Sequence, residues 1–103
     1  MWLSGEIKTP PFGADARLEA GFLLRQLQQG AVLSMPDSRP MTTVGPGCHE
    51  LRLPDQRRDW RIMYFVAADA IVVLAVFEKK TRQTPKAILD ACRRRRREYE
   101  ATR

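Results

Sequence analysis

Residues 70–77 read AIVVLAVF, eight apolar side chains in succession with no charge and no turn former among them. A strand sends alternate side chains to opposite faces, so a strand that is apolar at every position has both faces covered. This run is therefore expected to be a central strand in the middle of a sheet, entered through a tight turn at Asp69. The other elements must supply its neighbours and the layers above and below it.

Those elements are legible on either side. Between residues 14 and 29, Ala16, Ala20, Leu23, Leu24 and Leu27 recur at helical spacing, with Asp15 placed to cap the start and Gly30 to stop the helix. Arg17, Glu19, Arg25, Gln26 and Gln29 take the opposite side, so this helix lies with its apolar stripe on something apolar. Ahead of it, residues 2–7 form a short apolar stretch closed by Thr9, Pro10 and Pro11, which reads as a first strand or extended arm. Residues 31–47 hold Pro36, Pro40, Gly45, Pro46 and Gly47, a density of breakers that predicts an ordered but irregular connection. The pattern then changes to period two. Residues 48–53 alternate, with Leu51 and Leu53 on one side and Glu50 and Arg52 on the other, and residues 60–67 follow as a second strand of aromatic and β-branched residues. The polar turn at 54–59 makes the two a hairpin. Thr84 and Pro85 read as the N-cap and first position of a last helix, with Ile88, Ala91, Cys92 and Tyr99 on one stripe. The order is strand, helix, three strands, helix, an α+β class within one compact domain over residues 1–103.

Composition narrows the function. No apolar run approaches the length of a bilayer span, and the first residues carry no basic stretch followed by a long apolar core, so neither a membrane nor a secretory route is expected and the chain is placed in the cytoplasm. Cys48 and Cys92 lack CxxC spacing and have no histidine cluster to join; they read as small buried thiols. No phosphate-cradling glycine loop, metal-ligand spacing or nucleophile motif suggests a conventional metabolic enzyme. The net charge of +6 is unevenly spread: residues 1–77 hold eight basic and eight acidic side chains, whereas residues 78–103 hold ten basic and four acidic. An excess concentrated in this way is the footprint of a polyanionic partner. The arginine run from Arg93 to Arg97 points the same way, because five successive cations repel one another when nothing neutralises them.

One cluster has the makings of chemistry. Glu50 and Arg52 share a face of the first hairpin strand, Arg61 on the second strand can join them, and Lys79 and Lys80 follow the end of the apolar strand. Strand pairing alone would make Glu50 with Arg52 or Arg61 a cross-strand ion pair on a solvated face. Cleavage of RNA through the ribose 2′-hydroxyl, however, needs a base for that hydroxyl, cations for the phosphorane and a proton for the 5′-oxygen. Glu50 is a candidate base, Arg52 and Arg61 are candidate phosphorane ligands, and Lys79 or Lys80 can add charge or the proton. Neither metal nor cofactor is called for. His49 alternates to the side of Leu51 and Leu53 and reads as a core or edge histidine, a reading that a one-residue slip of register would reverse. Trp60, Tyr64, Phe65 and Phe77 lie within strands and read as packing.

The segments HELRL at 49–53, DWRIMYFV at 59–66 and VFEKKTRQTPK at 76–86, with ARLEAGFLLRQLQQG at 16–30 upstream, resemble the phage-derived, HigB-type branch of the RelE/ParE toxin superfamily. The resemblance covers about residues 14–100. It implies a RelE-like compact domain: an antiparallel-dominated sheet, an N-terminal helix on one face, a basic C-terminal helix, and a concave face where messenger RNA lies in the ribosomal A site. It further implies a metal-independent endoribonuclease that inhibits translation as the toxin of a type II system, held by a helix-turn-helix antitoxin. By position, Arg61 matches the superfamily's phosphate-binding arginine, Glu50 a carboxylate that some relatives use as base, and Lys79 and Lys80 the basic cluster after the fourth strand. Arg57, Arg58, Arg82, Lys86, Arg93, Arg94 and Arg97 are expected to hold the RNA backbone. The chain departs from the pattern in two respects: Pro10 and Pro11 leave room for only one full N-terminal helix, and no C-terminal histidine or tyrosine stands where several relatives keep a catalytic acid, Tyr99 lying deep in the last helix. Two other functions fit the same features. One is a ParE-like inhibitor of DNA gyrase without nuclease activity, the other a nucleic-acid-binding accessory protein.

Overall fold

A computed structural model describes residues 13–35, 37–55 and 58–102, so the expected first strand or arm at residues 2–7 lies outside the described residues. The elements are α1 (Ala14–Gln28), β1 (Ser38–Pro40), β2 (Cys48–Asp55), β3 (Arg58–Val66), β4 (Ile71–Glu78) and α2 (Lys86–Ala101). The four strands form one antiparallel sheet in the order β1-β2-β3-β4. The fold is thus α+β, with a helix on each face of the sheet.

The register decides what each face carries. Leu51 lies opposite Ile62, Leu53 opposite Trp60 and His49 opposite Tyr64. On this side Leu51, Leu53, Trp60, Ile62, Tyr64, Ile71 and Val73 close over Ala16, Ala20, Leu23 and Leu27, the expected stripe of α1. On the other side Met63, Phe65, Val72, Leu74 and Phe77 pack with Cys92 and Tyr99 of α2 and with Met41 and Val44 from the loop before β2. Both thiols are buried and free.

β4 is apolar throughout because α1 covers one of its faces and α2 the other. Its expected place in the middle of the sheet is corrected: among the described residues it pairs with β3 alone. Face coverage and position within the sheet are separate properties, and the apolar run reported the first. An irregularity of the β3–β4 ladder falls at Met63/Tyr64, where Met63 pairs with Ala75 and Tyr64 with Val73. Leu74 is left without a partner across the ladder, as the extra residue of a bulge is. Its carbonyl accepts a hydrogen bond from Arg95 Nη1 at 2.7 Å, which ties α2 to the sheet.

Other expectations change in detail. The connection before β2 contains a strand after all, β1, which pairs Ser38 with Leu51, Arg39 with Glu50 and Pro40 with His49. Its three residues include a proline and show no periodicity to read, and it is held from outside: the buried Ser38 hydroxyl lies 2.6 Å from the Tyr64 hydroxyl. The hairpin turn is narrower than residues 54–59, since pairing runs on through Pro54 with Asp59 and Asp55 with Arg58. Asp15 does not cap α1. Gly13 takes that position, and its N–H donates to Asp55 Oδ2 at 2.8 Å, so the carboxylate meeting the helix end comes from β2. Gly30 does end α1, at φ +93, a left-handed conformation that glycine adopts without a Cβ clash. Thr84 does not cap α2; Pro85 holds the N-cap position, and the Thr84 side chain turns towards β2. No helix among the described residues is long and apolar enough to cross a membrane.

Candidate active site

Glu50 stands at the centre of β2 on the face that carries α2, directly between Arg39 of β1 and Met63 of β3. Arg52, two residues on and so on the same face, lies directly opposite Arg61. Two arginines facing each other across a ladder oppose pairing, so their placement requires a compensating anion. Glu50 supplies it. Its Oε1 lies 3.3 Å from Arg39 Nε, 3.4 Å from Arg61 Nε and 3.9 Å from Lys79 Nζ. Its Oε2 accepts from the Thr84 hydroxyl at 3.4 Å. Lys79 is held against the end of β3 by its backbone N–H, which donates to the Asp59 carbonyl at 2.7 Å.

Burial differs sharply within this group. The Glu50 side chain is 0% exposed, Lys79 9%, Arg61 11% and Arg39 37%. Arg61 Nη1 also donates to the Trp60 carbonyl at 3.3 Å and lies 3.9 Å from Asp59 Oδ1. The Nε groups of Arg39, Arg52 and Arg61 are closed off from solvent and make no hydrogen bond, nor does Glu50 Oε1. Arg39 and Arg61 therefore sit within ion-pair range of the carboxylate without aligned N–H···O bonds, an arrangement that costs stability and is commonest where function requires it. Burial pushes the Lys79 ammonium below the ordinary lysine value; Glu50 opposes this, and Arg39, Arg61 and Arg52 add to it.

Of the expected site residues, the sheet thus brings Glu50, Arg52, Arg61 and Lys79 together, whereas Lys80 is exposed beyond the end of β4. Arg57 lies outside the described residues. Arg58, Arg82, Lys86 and Arg97 are exposed. Arg93 donates to the Thr43 carbonyl at 2.8 Å and to Asp90 at 2.9 Å, and Arg94 lies 3.8 Å from Glu98. Two further members of the run also face inward: besides Arg95 on Leu74, Arg96 donates to the Pro46 carbonyl at 3.2 Å and its guanidinium lies 4.7 Å from the centre of the Phe65 ring. The arginine run is therefore largely a clamp that fastens α2 to the sheet and to the loop at 43–46.

Arg39 and Thr84 were not read as site residues from sequence. Arg39 had no signal, because β1 has none; Thr84 carried a cap signal that pointed to the wrong partner. His49 lies on the α1 face, stacked on Tyr64 with ring centres 5.3 Å apart, and burial lowers its pKa from the ordinary histidine value. An apolar hollow of about 370 Å³ beside these two rings opens on that side as well, away from Glu50.

A small basic α+β domain whose sheet gathers two arginines and a lysine round one buried carboxylate, with Arg52 opposite one of them, has the charge and geometry to hold a phosphate backbone. The family model described as Phage derived protein Gp49-like (DUF891) matches residues 11–97, well over half of the chain, and the chain belongs to this phage-derived family of HigB-like toxins. No curated protein matches the chain.

Proposed function

We propose that the protein is the toxin of a type II toxin–antitoxin pair and that it cuts messenger RNA, bound in the ribosomal A site, at the cluster around Glu50. The observation that carries this reading is the convergence of Arg39, Arg61 and Lys79 from β1, β3 and the end of β4 on one buried carboxylate, with Arg52 of β2 opposite Arg61 and the three arginine Nε groups without a hydrogen bond. Four cations against one carboxylate leave positive charge in excess, and buried charge of that sign acts on a phosphorane with little screening.

In this reading the ribose 2′-oxygen attacks the adjacent phosphorus, the P–O5′ bond breaks, and the products are a 2′,3′-cyclic phosphate and a free 5′-hydroxyl. Arg52 and Arg61 hold the phosphorane oxygens. Lys79 gives its proton to the departing 5′-oxygen, a role that its lowered pKa favours. The 2′-hydroxyl proton passes to water. Glu50, with no exposed surface, serves as the positioning residue that keeps the cations together, in place of the base expected from the residue pattern and from the resemblance. Family membership supports the toxin role, and with it a cognate antitoxin.

The test is induced expression in a bacterial host of wild type and Arg61→Ala, with primer extension on abundant transcripts. Wild type is expected to arrest growth and create new 5′ ends within coding regions, and Arg61→Ala to do neither. Growth arrest with intact transcripts would overturn the nuclease reading in favour of a target such as gyrase. Repeating the cleavage on naked RNA and on purified ribosomes then decides whether the ribosome is required.

A further inference from the structure

The three cations within ion-pair range of Glu50 are not equally placed to meet a ligand. Lys79 and Arg61 keep 9% and 11% of their side chains exposed, and Arg61 is further engaged by the Trp60 carbonyl and Asp59. Arg39 is the outlier. Its side chain is 37% exposed although its Nε is closed off from solvent, so the exposure belongs to the rest of the side chain, including the terminal amino groups. Glu50 Oε1 sits 3.3 Å from that Nε and fixes the inner edge of the guanidinium. The outer edge presents paired N–H groups in the planar fork that matches two oxygens of a phosphate. β1 also places Arg39 two strands further from Lys79 than Arg61 is, on the far side of Glu50.

We propose that Arg39 is a substrate-capture residue: its Glu50-anchored guanidinium binds a backbone phosphate of single-stranded RNA next to the phosphate held by Arg61 and Lys79. This rests on the nuclease reading and deepens it by dividing the labour of the cluster. Arg39, the most exposed of the three, draws the strand in from β1, and Arg61 and Lys79 act on the scissile phosphate. A residue with this role contributes to ground-state binding and transition-state binding alike, so its loss falls on KM more than on kcat, whereas loss of Arg61 falls chiefly on kcat.

The experiment measures binding apart from cutting. A fluorescein-labelled 2′-O-methyl oligoribonucleotide, which cannot be cleaved by 2′-hydroxyl attack, is titrated with wild type, Arg39→Gln, Arg39→Lys and Arg61→Gln over a range of salt, and cleavage of unmodified RNA, free and on purified ribosomes, is followed in parallel. Arg39→Gln is expected to weaken binding about tenfold and to reduce the slope of log affinity against log salt by about 0.7, the contribution of one phosphate contact to a single strand. Arg39→Lys restores the slope and only part of the affinity, because the charge returns without the fork. Thermal midpoints of the variants separate lost contact from lost folding. Unchanged affinity and slope in a folded Arg39→Gln, or a loss confined to kcat, overturns the assignment and leaves the nuclease reading standing. A wild type that binds the oligonucleotide and cuts RNA neither free nor on purified ribosomes, with Arg39→Gln weakened as expected, upholds Arg39 as the capture residue and sinks the nuclease reading instead.

Discussion

Lys79 owes its character first to burial, which makes its ammonium costly, and then to three neighbours that the sequence sets 18 to 40 positions away, Arg39, Arg61 and Arg52, which press on the same charge. Because its pKa in the folded state lies below the unfolded value of 10.5, the folded chain releases this proton at lower pH than the unfolded chain does. Between the two values the unfolded state binds more protons, so Lys79 lowers stability at neutral pH and the penalty fades as pH rises through that window. The same shift sets the activity profile. A general acid must be protonated, so cleavage is expected to fall as pH rises through the folded-state pKa, giving an alkaline limb below 10.5. Lys79→Arg keeps a cation and has no proton to give in this range. It is expected to slow cleavage about 100-fold, to hold oligonucleotide affinity, and to abolish the alkaline limb, as single-turnover rates across pH would show. An unchanged limb in the variant would remove Lys79 from the role of proton donor.

Among the elements, β1 is the one on which the site depends and for which local sequence offers least. It is three residues long, ends in Pro40, and stays in place through its pairing with β2 and through the buried contact of Ser38 with Tyr64. That contact lies on the α1 face, while Arg39 projects to the face of Glu50, so one short strand links the core under α1 to the cations on the opposite side. Tyr64→Phe removes one hydroxyl and leaves that of Ser38, 1% exposed, without its partner. The expected loss is about 1–2 kcal/mol in urea unfolding, from the desolvated group left unpaired. Oligonucleotide affinity should weaken in the same variant although residue 64 faces away from the RNA, because a loosened β1 no longer fixes Arg39. Full affinity in a destabilised Tyr64→Phe would show that β1 is held by its backbone ladder alone.

Over the whole molecule, the positive excess divides between two jobs. Lys80, Arg82, Lys86 and Arg97 are exposed and add to the field that attracts a polyanion, whereas Arg93, Arg95 and Arg96 donate to the carbonyls of Thr43, Leu74 and Pro46. Read along the chain, these arginines were indistinguishable members of a basic run. Arg96→Ala is expected to cost about 1–2 kcal/mol through the lost carbonyl bond and the lost contact with the Phe65 ring, a shift of several degrees in thermal midpoint for a domain of this size. Its effect on the salt slope of RNA binding should be smaller than that of an exposed cation such as Arg82. A full unit of lost slope with an unmoved midpoint would mean that Arg96 serves the RNA rather than the fold.

The sequence by itself determined the two helices, the β2–β3 hairpin and β4, because amphipathic stripes, alternation and apolar runs are properties of neighbouring residues and survive reading one residue at a time. It also placed Glu50, Arg52 and Arg61 on one face, since a period of two and a hairpin leave little choice of register. Only the tertiary structure decided that β4 ends the described sheet, that β1 exists, that Arg39 reaches Glu50, that Thr84 turns away from its helix, and that the carboxylate at the centre of the cluster has no contact with solvent. Each of these depends on which strand pairs with which and on what two helices cover. Burial and charge environment are sums over elements far apart in the chain, and no local pattern carries such a sum.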